Sequence, residues 1–439
     1  MRRAWDRRAL ILVCGLATVL RLAIAIPLHS VGFTSDEKEY LFLANKILSQ
    51  QTFEDSNGEW SVKPPAFPAF LAAMFWVFGR TLAPLLLINA ILGGTAVAVG
   101  FAIVNRVTGN LIAAWWTAGM LALHPSFVIY GAVLQSEALY IVLLLAAVLV
   151  AVRMVHKPSL RASALLGVFL VGAILTRAIG LGVAMALFAA LLLAMDAPWQ
   201  KRVGTIAVAC LIMIIGLAPW TVRNYSIHHA FVPVSTFAGT SLLLGNNPYS
   251  NGTMALPPEF QDWVRNEAAR RGLPDPERMT EIDREHVQEQ IAVGWITAHP
   301  AGWARLLLKK LHVFWIYPVT TTANSHPIQA IALSGDLFLW VGALAGFFAL
   351  YDKRRELLPV VAVIVMVTAA HVAMHAEARY RLPLVALVSI FFGPGMAAIV
   401  GQREVFQRKG PVRVAAMGLA VLLLLGYAYA GMMFLHGEV

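Results

Sequence analysis

Charge is what this 439-residue chain has least of. Asp, Glu, Lys and Arg make up 13% of it, against about 25% in a soluble domain. With 59% hydrophobic residues and a mean hydropathy of +0.70, the chain is built for a bilayer. Cysteine is scarce too. Cys14 and Cys210 both sit inside apolar runs, which excludes a disulfide framework and leaves them as buried spectators. No GxxxxGK[ST] loop, GxSxG elbow or CxxC pair occurs. That removes ATP-driven and serine-hydrolase chemistry. Internal repeats and low-complexity tracts are also missing.

What is present is a succession of apolar runs. MRRAWDRR precedes about twenty apolar residues with no small-residue cleavage site, so it reads as an uncleaved first span. Spans fall at Ala9–Leu28, Thr81–Val104, Leu111–Ile129, Glu137–Val152, Ala162–Thr176 and Gly180–Met195. Val203–Trp220, Ile331–Tyr351, Leu357–Met374, Leu382–Val400 and Val414–Phe434 complete them. The expected fold is an all-α polytopic bundle of about 11 spans, 11–13 at the limits. Ala66–Phe78, after two prolines, reads as a re-entrant or juxtamembrane helix. Three regions follow: a module over 1–222 with a first loop at 29–80, a polar loop region at 223–329, and C-terminal spans at 330–439. Within the polar region Asp262–Gln290 reads as solvated helix, and Trp303–Tyr317 as an interfacial amphipathic one.

The net charge of +10 would suit a nucleic-acid binder, but its distribution argues otherwise. Arg2, Arg3, Arg7 and Arg8, then Arg106, Arg153, Lys157 and Arg161, fall in short segments on one side. Lys201, Arg202, Lys353, Arg354, Arg355, Arg403, Arg408, Lys409 and Arg413 continue that side. The positive-inside rule makes it the cytoplasmic one, so the partners are membrane lipids and not nucleic acid. Asp36, Lys63, Glu137, Arg177, Arg223 and Arg379 then share the opposite, extracytoplasmic side.

That convergence carries the chemistry. Asp36 and Glu37 follow the first span, and Glu137 lies in LQSEALY between two apolar runs. Asp36 or Ser136 can serve as a helix N-cap. Two carboxylates at the mouths of different spans also suit general-base work on a hydroxyl, or a divalent cation such as Mg²⁺ or Mn²⁺. Lys63, Arg177, Arg223, Arg379 and Arg381 can each snorkel to headgroups; gathered on one face they suit an anionic group such as phosphate. Tyr40, Tyr225 and Tyr380 lie beside these charges. Asn246 and Asn247, in the turn-rich GNNPYSNGT, read either as turn residues or as part of a sugar-binding loop. His371 and His375 share a helix face, with His228 and His229 also on the outer side; a zinc site would need further ligands.

Taken in order, SDEKEYLFLANKIL, KPPAFPAFLAAMFWVFG, LHPSFVIYGAVLQSEALY, APWTVRNY, FVPVSTFAGTSLLLGNNPYSNGT and HAEARYRLPL, with Arg21 late in the first span, resemble one family. They are similar to the GT-C membrane glycosyltransferases. In particular they resemble bacterial members similar to the dolichyl-phosphate-mannose protein mannosyltransferases and to the aminoarabinose transferase of lipid A. The resemblance implies a GT-C bundle using a polyprenyl-phosphate sugar donor at the outer face. It implies Asp36 as the catalytic acid of the first loop, Glu137 as the second-loop acid, and Lys63 at the lipid phosphate. The aminoarabinose enzymes carry a metal-ligating acid just before that lysine; Val62 stands there in this chain. The metal set, with Asp36, Glu137 and His375 as its members and Mg, Mn or Zn as the ion, stays open.

The reaction expected is inverting transfer of the sugar to an acceptor hydroxyl on a glycan, lipid or protein. Asp36 would be the base, and Lys63 with the arginines would stabilise the leaving phosphate. Glu37, Tyr40, Tyr225, Asn246, Asn247 and Tyr380 would contact substrate. The location would be the bacterial cytoplasmic membrane. The rival reading, a lipid flippase or solute transporter, predicts ionisable residues deep in the spans and repeat symmetry.

Overall fold

A computed structural model describes residues 2–252, 256–276, 279–317 and 326–401. Among the described residues every regular element is helical. The first half comprises α1 (Arg2–Val31), α2 (Ser35–Gln50), α3 (Ala66–Phe78), α4 (Leu82–Thr108), α5 (Leu111–Leu123), α6 (Pro125–Ala132), α7 (Glu137–His156), α8 (Leu160–Thr176) and α9 (Gly180–Ala194). It continues with α10 (Trp199–His228), α11 (Ala238–Gly245), α12 (Glu259–Arg270), α13 (Glu281–Ala298), α14 (Pro300–Ile316), α15 (His326–Ala349), α16 (Arg354–Ala373) and α17 (Leu382–Gly401).

Seven of the described helices are long and apolar enough to cross a membrane, and up to eight if α5 and α6 count as one span bent by 52°. α3, α8 and α9 are shorter apolar helices. Each of the first ten expected spans thus falls on a helix or a bent pair. The eleventh, Val414–Phe434, lies outside the described residues, as do Arg403, Arg408, Lys409 and Arg413. The chain is a polytopic all-α membrane protein, and its lipid-facing girdle is visible in Ile11, Leu12, Ile214 and Ile215, all more than half exposed.

Three local devices shape the mouth of the bundle. First, α2 begins at Thr34, whose hydroxyl accepts from the Glu37 N–H while the Glu37 carboxylate accepts from the Thr34 N–H. This reciprocal capping box fixes the first turn. Thr34, not Asp36, is therefore the N-cap, which leaves the Asp36 side chain unengaged by the helix start.

Second, the α5–α6 break at His124–Pro125 frees two carbonyls inside the bundle. Arg21, fully buried, donates to Leu121 and Ala122 oxygens at 2.9 and 3.3 Å. The break directs α6 toward the turn whose Gln135 and Ser136 line a cavity.

Third, α15 and α17 touch backbone to backbone. A Cβ at Gly346 or Gly395 would land on the carbonyl of Phe391 or Gly342. Small residues allow this approach where lipid supplies no hydrophobic drive for helices to associate. α17 then carries the short 3₁₀ turn Ala378–Arg381 that precedes it into the bundle.

Candidate active site

A cavity of about 590 Å³ opens between the ends of these helices, and five charged side chains line it: Asp36, Lys63, Glu137, Arg177 and Arg379. They come from α2, the α2–α3 segment, α7, the α8–α9 turn and the 3₁₀ turn before α17. Positions as far apart as 36 and 379 therefore meet in space.

Asp36 is the hub. Its Oδ1 accepts from Lys63 Nζ at 3.1 Å and its Oδ2 from Arg379 Nη1 at 2.6 Å. Burial alone would raise its pKa, but the adjacent Lys63 and Arg379 cations outweigh that and hold it at about 2. It is an anion at any physiological pH. Glu137, only 3% exposed, accepts from Arg177 Nη1 at 2.7 Å, and the same nitrogen reaches Ser136 Oγ at 3.2 Å. The Tyr380 ring lies between the Arg177 and Arg379 guanidiniums, 5.1 and 5.2 Å from them. Tyr40 lies under Lys63 Nζ at 5.4 Å.

One wall carries no formal charge. His375 Nδ1 is 2.8 Å from Ser241 Oγ and its Nε2 is 3.4 Å from the Tyr380 hydroxyl. Burial depresses His375 to about 4, so the imidazole is neutral. Ser241, Gln135, Ser136 and His371 also line the cavity, though sequence reasoning did not single out Ser241 or Gln135. Only their closeness to Glu137 or to the aromatic wall marks them, and that closeness is tertiary.

The remaining predicted residues lie elsewhere, and all of them except Tyr225 are engaged by other partners. Glu37, 2% exposed, accepts from the Leu134 N–H at 2.8 Å and pairs with His29 at 2.7 Å, so it braces α2 against the turn before α7. Arg223 donates to the Trp60 and Phe53 carbonyls and packs on the Trp220 ring at 4.6 Å. Arg381, fully buried, pairs with Asp336 at 2.5 Å and donates to the Phe314 and Tyr317 carbonyls. Asn246 and Asn247 turn inward. Asn246 donates to Leu242 and Ala373 oxygens, and Asn247 to Leu243 and Leu244 oxygens. Tyr225 is 56% exposed on α10, outside the cavity. A turn-rich polar loop satisfies its own backbone before it offers anything to a ligand.

As a metal site the cavity fits poorly. The oxygens of Asp36 and Glu137 already accept from three cations. Among the described residues no three His, Cys, Asp or Glu side chains are grouped as a metal ion needs. The same set suits an anion, since three cations with fixed partners surround one open volume.

Residues 62–222 match the family described as dolichyl-phosphate-mannose-protein mannosyltransferase. No curated protein matches the chain at the sequence level. Among solved structures, the fold is similar to that of the archaeal oligosaccharyltransferase AglB from Archaeoglobus fulgidus in complex with an inhibitory peptide and a dolichol-phosphate. The TM-score is 0.57 at 15% identity, over 100% of this chain and 56% of that one. A second Archaeoglobus fulgidus oligosaccharyltransferase structure, tethered to an acceptor peptide, gives 0.55 at 14% identity over 98% and 54%. ArnT from Cupriavidus metallidurans bound to undecaprenyl phosphate aligns at 0.43 and 16% identity over 91% and 81%. The chain spans about half the length of the chain in each of the two archaeal structures. It has the GT-C fold, and its residues 62–222 carry the sequence pattern of the dolichyl-phosphate-mannose-protein mannosyltransferases.

Proposed function

We propose that the chain is an inverting membrane glycosyltransferase that moves a sugar from polyprenyl phosphate to an acceptor hydroxyl. The observation that carries the reading is the pairing of one ionised carboxylate, Asp36, with two cations, Lys63 and Arg379, on the wall of a cavity large enough for a sugar. The arginine-rich face and the dolichol-phosphate bound by the fold-mate AglB support the same donor class.

A sugar phosphodiester carries one negative charge, and the phosphate that leaves carries nearly two. Lys63, Arg379 and Arg177 stabilise the charge that develops, which lowers the barrier to breaking the C1–O bond. Donor phosphate competes with Asp36 for Lys63 and Arg379. As they turn to the phosphate, the Asp36 carboxyl rises from about 2 toward its ordinary range and becomes a better base. The acceptor oxygen attacks C1 opposite the phosphate and its proton passes to Asp36. The new C1–O bond forms as the old one breaks, with inversion. Glu137, held by Arg177, sets the second face of the cavity.

The distribution of basic loops supports a reading in which this mouth opens on the extracytoplasmic face of a bacterial cytoplasmic membrane. The test is transfer from labelled polyprenyl-phosphate sugar in proteoliposomes, wild type against Asp36→Asn. Loss of about 10²-fold or more with lipid binding kept supports the base role. A wild type that binds the lipid but never cleaves the sugar–phosphate bond, with acceptor extract supplied, points to a transporter instead.

A further inference from the structure

Lys63 lies on a segment without regular structure between α2 and α3. Its direction therefore depends on what holds the backbone just before it. That hold is at Trp60–Ser61. Glu281, in the first turn of α13, accepts from the Trp60 N–H at 2.9 Å and from the Ser61 N–H at 3.1 Å. The Thr236 hydroxyl donates to the same carboxylate, and the Thr236 N–H donates to the Ser61 carbonyl at 3.0 Å. Arg284, three residues on, pairs with Glu59. Behind them, the Ser61 hydroxyl is fully buried among Arg223, Asn224 and His228 of α10, at 3.0, 3.0 and 2.8 Å.

Backbone N–H groups this deep need acceptors in any fold. Here the acceptor comes from 220 residues away, in a helix outside the stretch that matches the mannosyltransferase family. One carboxylate thus holds the backbone next to two parts of the cavity wall, Val62–Pro64 after Ser61 and the Ser235 and Phe237 that flank Thr236. Charge-assisted bonds to successive amides are stronger than neutral ones and hold a peptide's orientation.

We infer that Glu281 is a positioning residue, clamping Trp60–Ser61 against Thr236 so that Lys63 points at the donor phosphate. α13, remote from Lys63 in sequence, thereby governs donor affinity. The inference rests on the donor-binding reading above.

The test uses the full-length protein in proteoliposomes and compares wild type with Glu281→Gln. The amide keeps the size but turns an NH₂ toward a backbone N–H. KM for labelled polyprenyl-phosphate sugar, kcat, and binding of sugar-free polyprenyl phosphate are measured separately. KM and the polyprenyl-phosphate Kd both rise about tenfold while kcat stays within about threefold, the pattern of lost binding and not of lost chemistry. Glu281→Asp, which keeps the charge, recovers part of the affinity.

An unchanged Kd in Glu281→Gln, or a fall in kcat alone, overturns the inference. If Glu281→Gln yields no folded protein, Arg284→Gln, at the edge of the same clamp, carries the test with a rise of about threefold, and an unchanged Kd there is equally fatal. A wild type that binds no polyprenyl phosphate overturns the donor reading itself. A wild type that binds, beside variants that bind equally, overturns only the role of Glu281.

Discussion

Arg379 Nη1 lies 2.6 Å from Asp36 Oδ2 across 343 residues of sequence, while Lys63 Nζ takes the other oxygen at 3.1 Å. The carboxylate thus occupies both cations that a donor phosphate would use. Removing its charge should separate binding from chemistry. In Asp36→Asn, polyprenyl phosphate binds more tightly, by about tenfold or 1.4 kcal/mol, even as transfer is lost. Isothermal titration into nanodiscs checks the sign, and weaker binding would contradict the competition.

The Glu137–Arg177 pair tests how much the mouth depends on charge compensation. Arg177→Gln leaves Glu137 buried without its partner, and such a break costs about 3–5 kcal/mol. The double variant Glu137→Gln/Arg177→Gln removes both charges and should recover most of that loss. Thermal unfolding in detergent reads the difference, and a double variant no more stable than the single one would rule out the pairing as the cause.

Glu37 makes a different prediction from Asp36, its neighbour. Its two oxygens accept from Leu134, Thr34 and His29. Glu37→Ala leaves the Leu134 and Thr34 amides without acceptors, at about 1–3 kcal/mol. It should therefore lower the unfolding midpoint, whereas Asp36→Asn leaves it nearly unchanged. Transfer in Glu37→Ala should fall because the α2 start shifts. Full activity at full stability would show that the brace does nothing.

Lys310 supplies a pH test away from the cavity. Its ammonium is fully buried, donating to Asn246 Oδ1 at 2.8 Å and to the Met374 carbonyl at 2.6 Å beyond the end of α16. Among the described residues no carboxylate pairs with it, and burial lowers its pKa to about 7. Between pH 7 and its unfolded value near 10.4, the unfolded chain binds more protons than the folded one. Stability therefore rises with pH across that window, by up to about 1.4 kcal/mol per unit. Below about pH 7 both states are protonated and the contribution is flat. Lys310→Met should remove the rise, seen as the difference between the two midpoint–pH curves from pH 7 to 10; parallel curves would refute it.

Several of these features were open to reading from residues alone. A run of apolar residues long enough to cross a bilayer has few other fates, so the spans were legible. Their ends were less so: α10 runs on to His228, past the expected Trp220, because Trp220 and Thr221 bond to the Val234 and Pro233 carbonyls and carry the helix beyond the apolar run. The TSDE start of α2 held a capping-box signal that assigns the cap to Thr34 and frees Asp36. Arg223 and Arg379 look alike in sequence. One turns to the Trp60 and Phe53 carbonyls and the other to Asp36.

The sequence by itself determined the solvent of this protein, the placing of its spans, and which charges gather on one side of them. These follow from transfer energies and loop charge, which act on short stretches of chain. Which of the gathered charges meet was decided only in three dimensions. The break at Pro125, the clamp of Glu281 on Trp60–Ser61 and the glycine contact of α15 with α17 each join residues distant in sequence. A side chain's partner is set by packing between elements, and no local pattern encodes it.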